Sequence, residues 1–435
     1  MTRRTFLQST TLAAAAAAAQ GRAIGANDKI QIGCIGTGAR GQELMQALQA
    51  NKGLEIVGVV DAYKGRVERA MQRTNGRAKV YADYHALLAD PAIDAVTIAT
   101  PDHWHRTMIL DAFKAGKDVY SEKPLTYTSK EGADIIKSAE SSGRVLQVGS
   151  QGMSSALQNK ARELIQSGKL GQVTMIRAAY NRNTASGAWI YPIPPDASAK
   201  TVNWEMFLGN APKQPFSLER FFRWRCYQDY SGGIATDLFV HLCTTIHYLM
   251  NAKVPARAIA LGELYRWKES REVPDTINAV LEYNEGFTVN LSSTFNNENT
   301  GEGSFQFLGT KGTLTVGSTL TFTPENVWEN NGWVVDSWAE DAQKAYYADP
   351  KVIAAEMPRR QPERIVQGTT TYQQEGLEST VVHMGHFLDS IRSRKPYWED
   401  ARAGHHAAAC AHMVNLAARE RRLVEWDFAR DDIKS

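Results

Sequence analysis

From residue 30 onward the chain alternates short apolar runs with stretches of helical periodicity. Residues 30–35 read as a buried strand, after which Leu44, Met45 and Leu48 recur at helical spacing. Strand-like runs return at residues 55–60, 94–99, 117–120 and 144–148, with helical stretches between them, one opening at a capping box from Thr128 to Glu131. Strands alternating with helices in this way predict a parallel, doubly wound sheet whose ligand crevice lies at the carboxyl ends of its strands. Beyond residue 151 the pattern changes. Residues 277–295 hold two β-rich runs around Asn284-Glu285-Gly286, and Gly309-Thr310-Lys311-Gly312 separates runs at 305–307 and 314–316, so hairpins are expected. An apolar helix is expected from 234 to 250. Residues 191–200, with Pro192, Pro194 and Pro195, predict an irregular loop near the site, and the polar, aperiodic stretch 340–375 reads as a surface excursion rather than a lid or an oligomer arm.

The chain has 435 residues, 43% of them hydrophobic, enough for two to three domains with substantial cores. Lys plus Arg number 49 against 47 Asp plus Glu. The first 26 residues hold Arg3, Arg4 and Arg22 and no acid, so the remainder carries 46 basic residues against 47 acidic ones. A basic nucleic-acid footprint is therefore not expected. Cys34, Cys226, Cys243 and Cys410 lie far apart with no CxxC pair, which argues against a zinc finger or a disulfide scaffold. Arg3-Arg4-Thr5-Phe6-Leu7 followed by Leu12 and the alanines 13–19 looks like a twin-arginine export signal, its apolar stretch well short of the roughly 18 residues that would give a stable membrane span. Residues 1–26 are accordingly set apart as a signal read by the twin-arginine export machinery, with a periplasmic destination. Residues 27–151 form the expected dinucleotide-binding domain and 152–435 a substrate domain, whose C-terminal helix can pack back on the first.

The candidate chemistry gathers at the strand ends. Gly36-Thr37-Gly38-Ala39-Arg40-Gly41 sits between a strand and a helix, where the first glycine allows a tight turn, the second lets backbone approach a pyrophosphate and the third lets helix pack on strand. Asp61 ends the second strand, 20 residues after Gly41. A carboxylate there accepts hydrogen bonds from the adenosine ribose and repels a 2′-phosphate, so NAD is expected over NADP, although Lys64 and Arg66 stand nearby. The other candidate cofactor contacts at strand ends are Thr100, Pro101, His105, Glu122, Lys123 and Gln151, beside Ala39 and Arg40 of the glycine loop. Lys123, kept extended by Pro124, is placed to take a proton from a substrate hydroxyl as hydride leaves the same carbon. Asp237 and His241 stand i, i+4 on the apolar helix and share one face, while His247 points away and reads as packing or surface. The run Phe221-Phe222-Arg223-Trp224-Arg225-Cys226-Tyr227 with Tyr230 combines rings that stack on pyranose faces with groups that bind hydroxyls, and reads equally as a sugar platform or as core. Trp104, Tyr180, Arg182, Arg225 and Tyr230 are thus the candidate substrate contacts. A zinc site from His103, His105, Asp237 and His241 is the lesser reading, so no metal is assigned, and no GxSxG elbow for a serine hydrolase occurs.

Gly36-x-Gly38-x-x-Gly41, residues 99–105 (Ala-Thr-Pro-Asp-His-Trp-His), Glu122-Lys123-Pro124 and Gly232-Gly233-x-x-x-Asp237-x-x-x-His241 occur in this order. Together they resemble the Gfo/Idh/MocA family of glucose-fructose oxidoreductase, inositol dehydrogenase and their relatives. The resemblance implies an α/β fold, in which a Rossmann domain precedes an α+β domain with an open, largely antiparallel sheet that often mediates homo-oligomer contacts. It also implies Lys123, Asp237 and His241 as a catalytic trio acting on a small carbohydrate, with Lys123 or His241 handling the hydroxyl proton and Asp237 orienting. Outside the inner membrane no free NAD pool recharges a dissociating cofactor, so tightly held NAD is expected. Two chemistries restore such a cofactor: a sugar oxidoreductase, and a redox-neutral glycosidase, lyase or isomerase working through a transient keto-sugar. The family's exported glycosidases typically carry Thr-His-Gly and lack the Glu-Lys-Pro lysine. Lys123 is present here and Thr-His-Gly is not, so the oxidoreductase ranks first.

Overall fold

The computed structural model describes residues 28–269, 271–301, 305–325, 330–356 and 368–434, so the twin-arginine segment lies outside the described residues. The first domain is a six-stranded parallel sheet in the order β3-β2-β1-β4-β5-β6, formed by β1 (Ile30–Ile35), β2 (Leu54–Val60), β3 (Lys79–Val80), β4 (Ala95–Ile98), β5 (Asp118–Glu122) and β6 (Leu146–Gly149). Central strands covered by helices on both faces need apolar side chains on both, and β4 is buried at every position. The chain reverses direction across the sheet between β1 and β4, so the crevice opens at the carboxyl ends of these two strands.

Two glycines fix the turn after β1. Gly36 has φ +81, a left-handed conformation, and a Cβ there would meet the Ala99 carbonyl at 2.6 Å. A Cβ on Gly41 would lie 2.2 Å from the Gly36 carbonyl, so only glycine lets the helix Ala39–Gln49 start this close to the strand. At the helix Glu131–Ser142 half of the expected capping box is present. The Glu131 carboxylate accepts from the Tyr127 and Thr128 amides, at 2.7 and 3.4 Å, whereas no side-chain oxygen caps the helix from Lys130.

The second domain is built on a ten-stranded mixed sheet in the order β14-β13-β12-β11-β7-β10-β9-β8-β15-β16. Its strands are β7 (Val173–Ala179), β8 (Arg257–Glu263), β9 (Thr276–Tyr283), β10 (Phe287–Thr294), β11 (Phe305–Gly309), β12 (Gly312–Val316), β13 (Thr319–Pro324), β14 (Thr370–Gln373), β15 (Val424–Asp427) and β16 (Asp432–Ile433). Both expected hairpins form, β9 with β10 and β11 with β12, and only β7 with β10 is a parallel pair. Burial alternates strictly along β9, so one face carries the core and the other is open, with Ile259, Leu261 and Val280 exposed on it. Residues 332–355 carry three short helices, and Trp333 there is 89% exposed.

The chain returns to the first domain near its end. The helix Ser379–Ser393 places Met384, Phe387, Leu388 and Ile391 in one cluster with Ile30 and Ile32 of β1 and Leu44 and Leu48 of the helix Ala39–Gln49. Its neighbour Ala401–Glu420, capped by the Asp400 carboxylate on the Arg402 and Ala403 amides, packs on β8 and contributes Ala401 to the core beneath β4 and β5. Neither helix is an appendage. Phe387→Ala should lower the unfolding free energy by about 3–5 kcal/mol, since the ring is fully buried. Denaturant titration checks this, and a loss below about 1 kcal/mol would show that the helix does not complete the first core.

Candidate active site

The expected helix at 234–250 is not α-helical throughout. Ala235–Phe239 is one π-helical turn, with the Val240 amide bonded five residues back to the Ala235 carbonyl, and a regular helix then runs over Val240–Met250. The wider turn leaves the Asp237 carbonyl facing Lys123, whose Nζ donates to it at 2.9 Å and to Asp237 Oδ1 at 2.8 Å. Arg225 Nε donates to the same Oδ1 at 3.0 Å. Lys123, from the end of β5, and Arg225, from the second domain, therefore meet on one oxygen of Asp237.

This cluster lies at one end of a cavity of about 690 Å³ between the two domains. The lining includes Gly36, Gly38, Ala39, Arg40 and Asp61, and also Thr100, Pro101, Trp104, Glu122, Lys123, Tyr180, Arg182, Arg225, Asp237 and His241. A larger cleft of about 1110 Å³ runs along residues 127–130, the helix 401–420 and the C-terminal strand, and holds none of the candidate residues. The chemistry identifies the smaller cavity as the site.

Four candidates stand off its lining, each for a packing reason. Gly41 is pressed against Gly36. His105 is buried with its ring nitrogens 2.7 Å from the Pro124 carbonyl and 3.0 Å from the Thr100 carbonyl, tying two strand ends together beneath the surface. Gln151 Nε2 donates to Tyr120 and to Glu122 Oε1, both at 2.7 Å, and so orients Glu122 from behind. Tyr230 is fully buried among His103 and Phe207. His103 bonds to the Phe207 carbonyl at 3.1 Å and His247 to the Tyr283 hydroxyl at 3.0 Å, so neither faces the cavity. Among the described residues no group of three or more His, Cys, Asp or Glu is arranged to hold a metal ion.

The electrostatics follow from this burial. Burial alone would raise the Asp237 carboxyl, but Lys123 and Arg225 outweigh it and hold the group well below the usual carboxylate range. His241 is pushed down to about 3, first by burial and then by the Lys123 charge, so its ring is neutral at physiological pH. It has no hydrogen-bond partner among the described residues. Asp102, buried behind the pair, is raised to about 7 by burial and by the neighbouring Asp237 charge.

The residues at the other end fit a dinucleotide. Gly38 and the acid-free first turn of the helix Ala39–Gln49 leave backbone amides with no side-chain cap, as a pyrophosphate requires. Asp61 accepts from the Thr37 amide at 2.7 Å and the Tyr63 amide at 2.9 Å, which aims its remaining lone pairs at a ribose. Arg66 lies 3.7 Å from Asp61 with its guanidinium over the Phe221 and Phe222 rings. Residues 191–227 of the second domain close this end as a strap. The Asn203 amide donates to the Ala62 carbonyl at 2.7 Å, the Lys64 amide to the Thr201 carbonyl at 2.9 Å and the Tyr63 hydroxyl to Asp196 at 2.6 Å. The prolines at 192–195 signalled this loop. Its pairing with the chain just after β2, and the lining by Trp189, Tyr191, Asn203 and Met206, had no local signal.

A model of the oxidoreductase family's NAD-binding Rossmann fold matches residues 30–150, and one of its C-terminal alpha/beta domain matches residues 162–426. An inositol 2-dehydrogenase of Pseudomonas savastanoi pv. phaseolicola is 32% identical over 160 residues, 36% of this chain and 47% of that protein. The chain thus spans about half the length of the inositol dehydrogenases it matches. A 1,5-anhydro-D-fructose reductase of Ensifer adhaerens is 25% identical over 67% of this chain and 77% of that protein. Levoglucosan dehydrogenase in complex with NADH and levoglucosan superposes with a TM-score of 0.67 over 92% of this chain and 99% of that one, at 18% identity, a likeness of fold.

The site makes a direct prediction. The His241 ring should stay neutral between pH 8 and pH 5, so its NMR resonances should not titrate in that window; a midpoint near 6.5 would place it in water rather than beside Lys123.

Proposed function

Since the chain belongs to the Gfo/Idh/MocA oxidoreductase family, with its NAD-binding first domain, we propose that it oxidises a hydroxyl of a sugar or sugar derivative by hydride transfer to tightly held NAD. The observation that carries this reading is the meeting of Lys123, Arg225 and Asp237 at the substrate end of the dinucleotide cavity. The named relatives that act on inositol, anhydrofructose and levoglucosan support the substrate class.

Bound NAD supplies the hydride acceptor. Lys123, fixed by two bonds to Asp237, keeps a further N–H for the substrate oxygen and stabilises negative charge there as the carbon gives up hydride. His241, neutral and unpartnered, receives the hydroxyl proton. Asp237 orients Lys123 and balances its charge. Arg225, read from sequence as a sugar contact, clamps Asp237 instead. The strap of residues 191–227 shields the adenosine end and favours a resident cofactor, which suits the twin-arginine signal and a periplasmic location. Among the described residues no helix is long and apolar enough to cross a membrane. The open face of the ten-stranded sheet, with Ile259, Leu261 and Val280 exposed, is assigned to contact with a second copy.

Purified protein should carry NAD through dialysis, detected by absorbance and mass, and should form NADH or a reduced second sugar when offered free sugars. Release of the aryl alcohol from aryl glycosides without net NADH would overturn this in favour of the redox-neutral reading. Lys123→Ala should lower kcat about 10²–10⁴-fold with NAD still bound, and full activity would refute the role of the amine. N-terminal sequencing of periplasmic protein should find a start within or after residues 19–26; retention of Met1 in the cytoplasm would contradict export.

A further inference from the structure

The substrate end of the cavity carries more positive charge than its acids compensate. Lys123 and Arg225 share the single carboxylate of Asp237. Arg40 is matched by Glu43 at 2.8 Å and by Glu122 at 3.8 Å. Arg182 has no carboxylate within ion-pair distance among the described residues, yet it lines the same cavity, and its charge reaches both Tyr191 and His241. An oxidised nicotinamide would add a further positive charge.

Arg182 is also held in place. Its backbone amide donates to the Thr294 carbonyl at 2.9 Å, extending the β7 to β10 pairing. Its NH1 donates to the Gly187 carbonyl at 3.0 Å, and its guanidinium lies 5.3 Å from the Tyr180 ring centre and 5.9 Å from that of Phe295. The remaining N–H groups of the fork have no acceptor among the described residues. A guanidinium fixed by one edge and open on the other suits a planar, two-oxygen anion. A neutral sugar would need acceptors for its hydroxyl protons, and the acids that line this end are already engaged, Asp237 by two cations and Glu122 by Gln151 and Arg40.

We propose that the sugar bound here bears a carboxylate, as in a uronic or aldonic acid, and that Arg182 is the residue that binds it. The assignment rests on the sugar oxidoreductase reading above and narrows its substrate class. A carboxylate fits better than a phosphate, because Gly187 already occupies one side of the fork and leaves a single edge for the anion.

The test measures binding to the NAD-loaded full-length protein by calorimetry, using D-glucuronate, D-galacturonate and D-gluconate against the uncharged D-glucuronamide, D-glucose, and D-glucose 6-phosphate. At least one sugar acid should bind ten-fold or more tightly than glucuronamide. Arg182→Gln should erase that preference while leaving NAD content and thermal midpoint unchanged. Equal affinity for acid and amide, tighter binding of the phosphate, no binding of any acid, or a preference that survives Arg182→Gln would each overturn the proposal. The acid and amide comparison on the parent protein stands even if the variant does not fold. A sugar acid that binds with the stated preference but yields neither NADH nor a keto product would leave the carboxylate site in place and defeat the oxidoreductase reading.

Discussion

One carboxylate oxygen, Asp237 Oδ1, receives both Lys123 and Arg225, and the arrangement of the two domains at the site depends on it. Lys123 follows the last residue of β5, whereas Asp237 and Arg225 belong to the second domain. All three are largely withdrawn from water, with side chains 8%, 11% and 25% exposed for Lys123, Asp237 and Arg225, so removing the acid would leave two buried cations facing each other. Breaking such a pair typically costs about 3–5 kcal/mol, because the surviving charge keeps its desolvation penalty and loses its partner. The same bond that closes the domain junction also fixes the amine at the reacting end. Stability and chemistry are therefore coupled at this point.

The rest of the molecule can be understood as what brings these groups together and keeps water away. The π turn at Ala235–Phe239 exposes a backbone carbonyl that a regular helix would have used internally, and Lys123 takes it as a second acceptor. Gly36 and Gly41 let strand and helix converge at the phosphate end, and β2 carries Asp61 to the ribose position. The strap from residue 191 to 227 pairs with the chain just after β2, so the second domain grips the first at both ends of the cavity. The helix Ser379–Ser393 crosses back and seals the far face of the Rossmann sheet. Neutral His241 and Asp102, whose carboxyl is raised to about 7, sit within one small volume, and both are moved there by burial and by neighbouring charges.

Much of this was legible in the sequence where the signal is local. The glycine loop, Asp61, Glu122-Lys123-Pro124 and the Asp237/His241 spacing each tie a residue type to a strand end or a helix face, and Gly36, Gly38, Ala39, Arg40, Asp61, Glu122, Lys123, Asp237 and His241 line the cavity. Composition alone left Tyr230 undecided, since an aromatic and basic run describes a sugar platform and a packed core equally well, and here the ring faces His103 and Phe207. His105 and Gln151 sit at the expected strand ends, but their side chains turn inward to brace Pro124 and Glu122, an orientation that strand position does not encode. Arg225 could be placed near the site but not on Asp237, because that contact depends on how the π turn and the short helix before it pack together. The strap and the returning helix are pairings across more than a hundred residues, for which a single sequence carries no periodicity.

In the proposed reaction Asp237 holds Lys123 over the carbon that gives up hydride. Single-turnover transfer of deuterium from a sugar labelled at the oxidised carbon, followed by mass analysis of the bound cofactor, tests it most directly. The parent protein should yield NADH one mass unit heavier than the unlabelled form, and Asp237→Asn should retain NAD yet transfer at least a hundred-fold more slowly. Equal transfer rates in the two proteins, or no label reaching the cofactor of the parent, would contradict it.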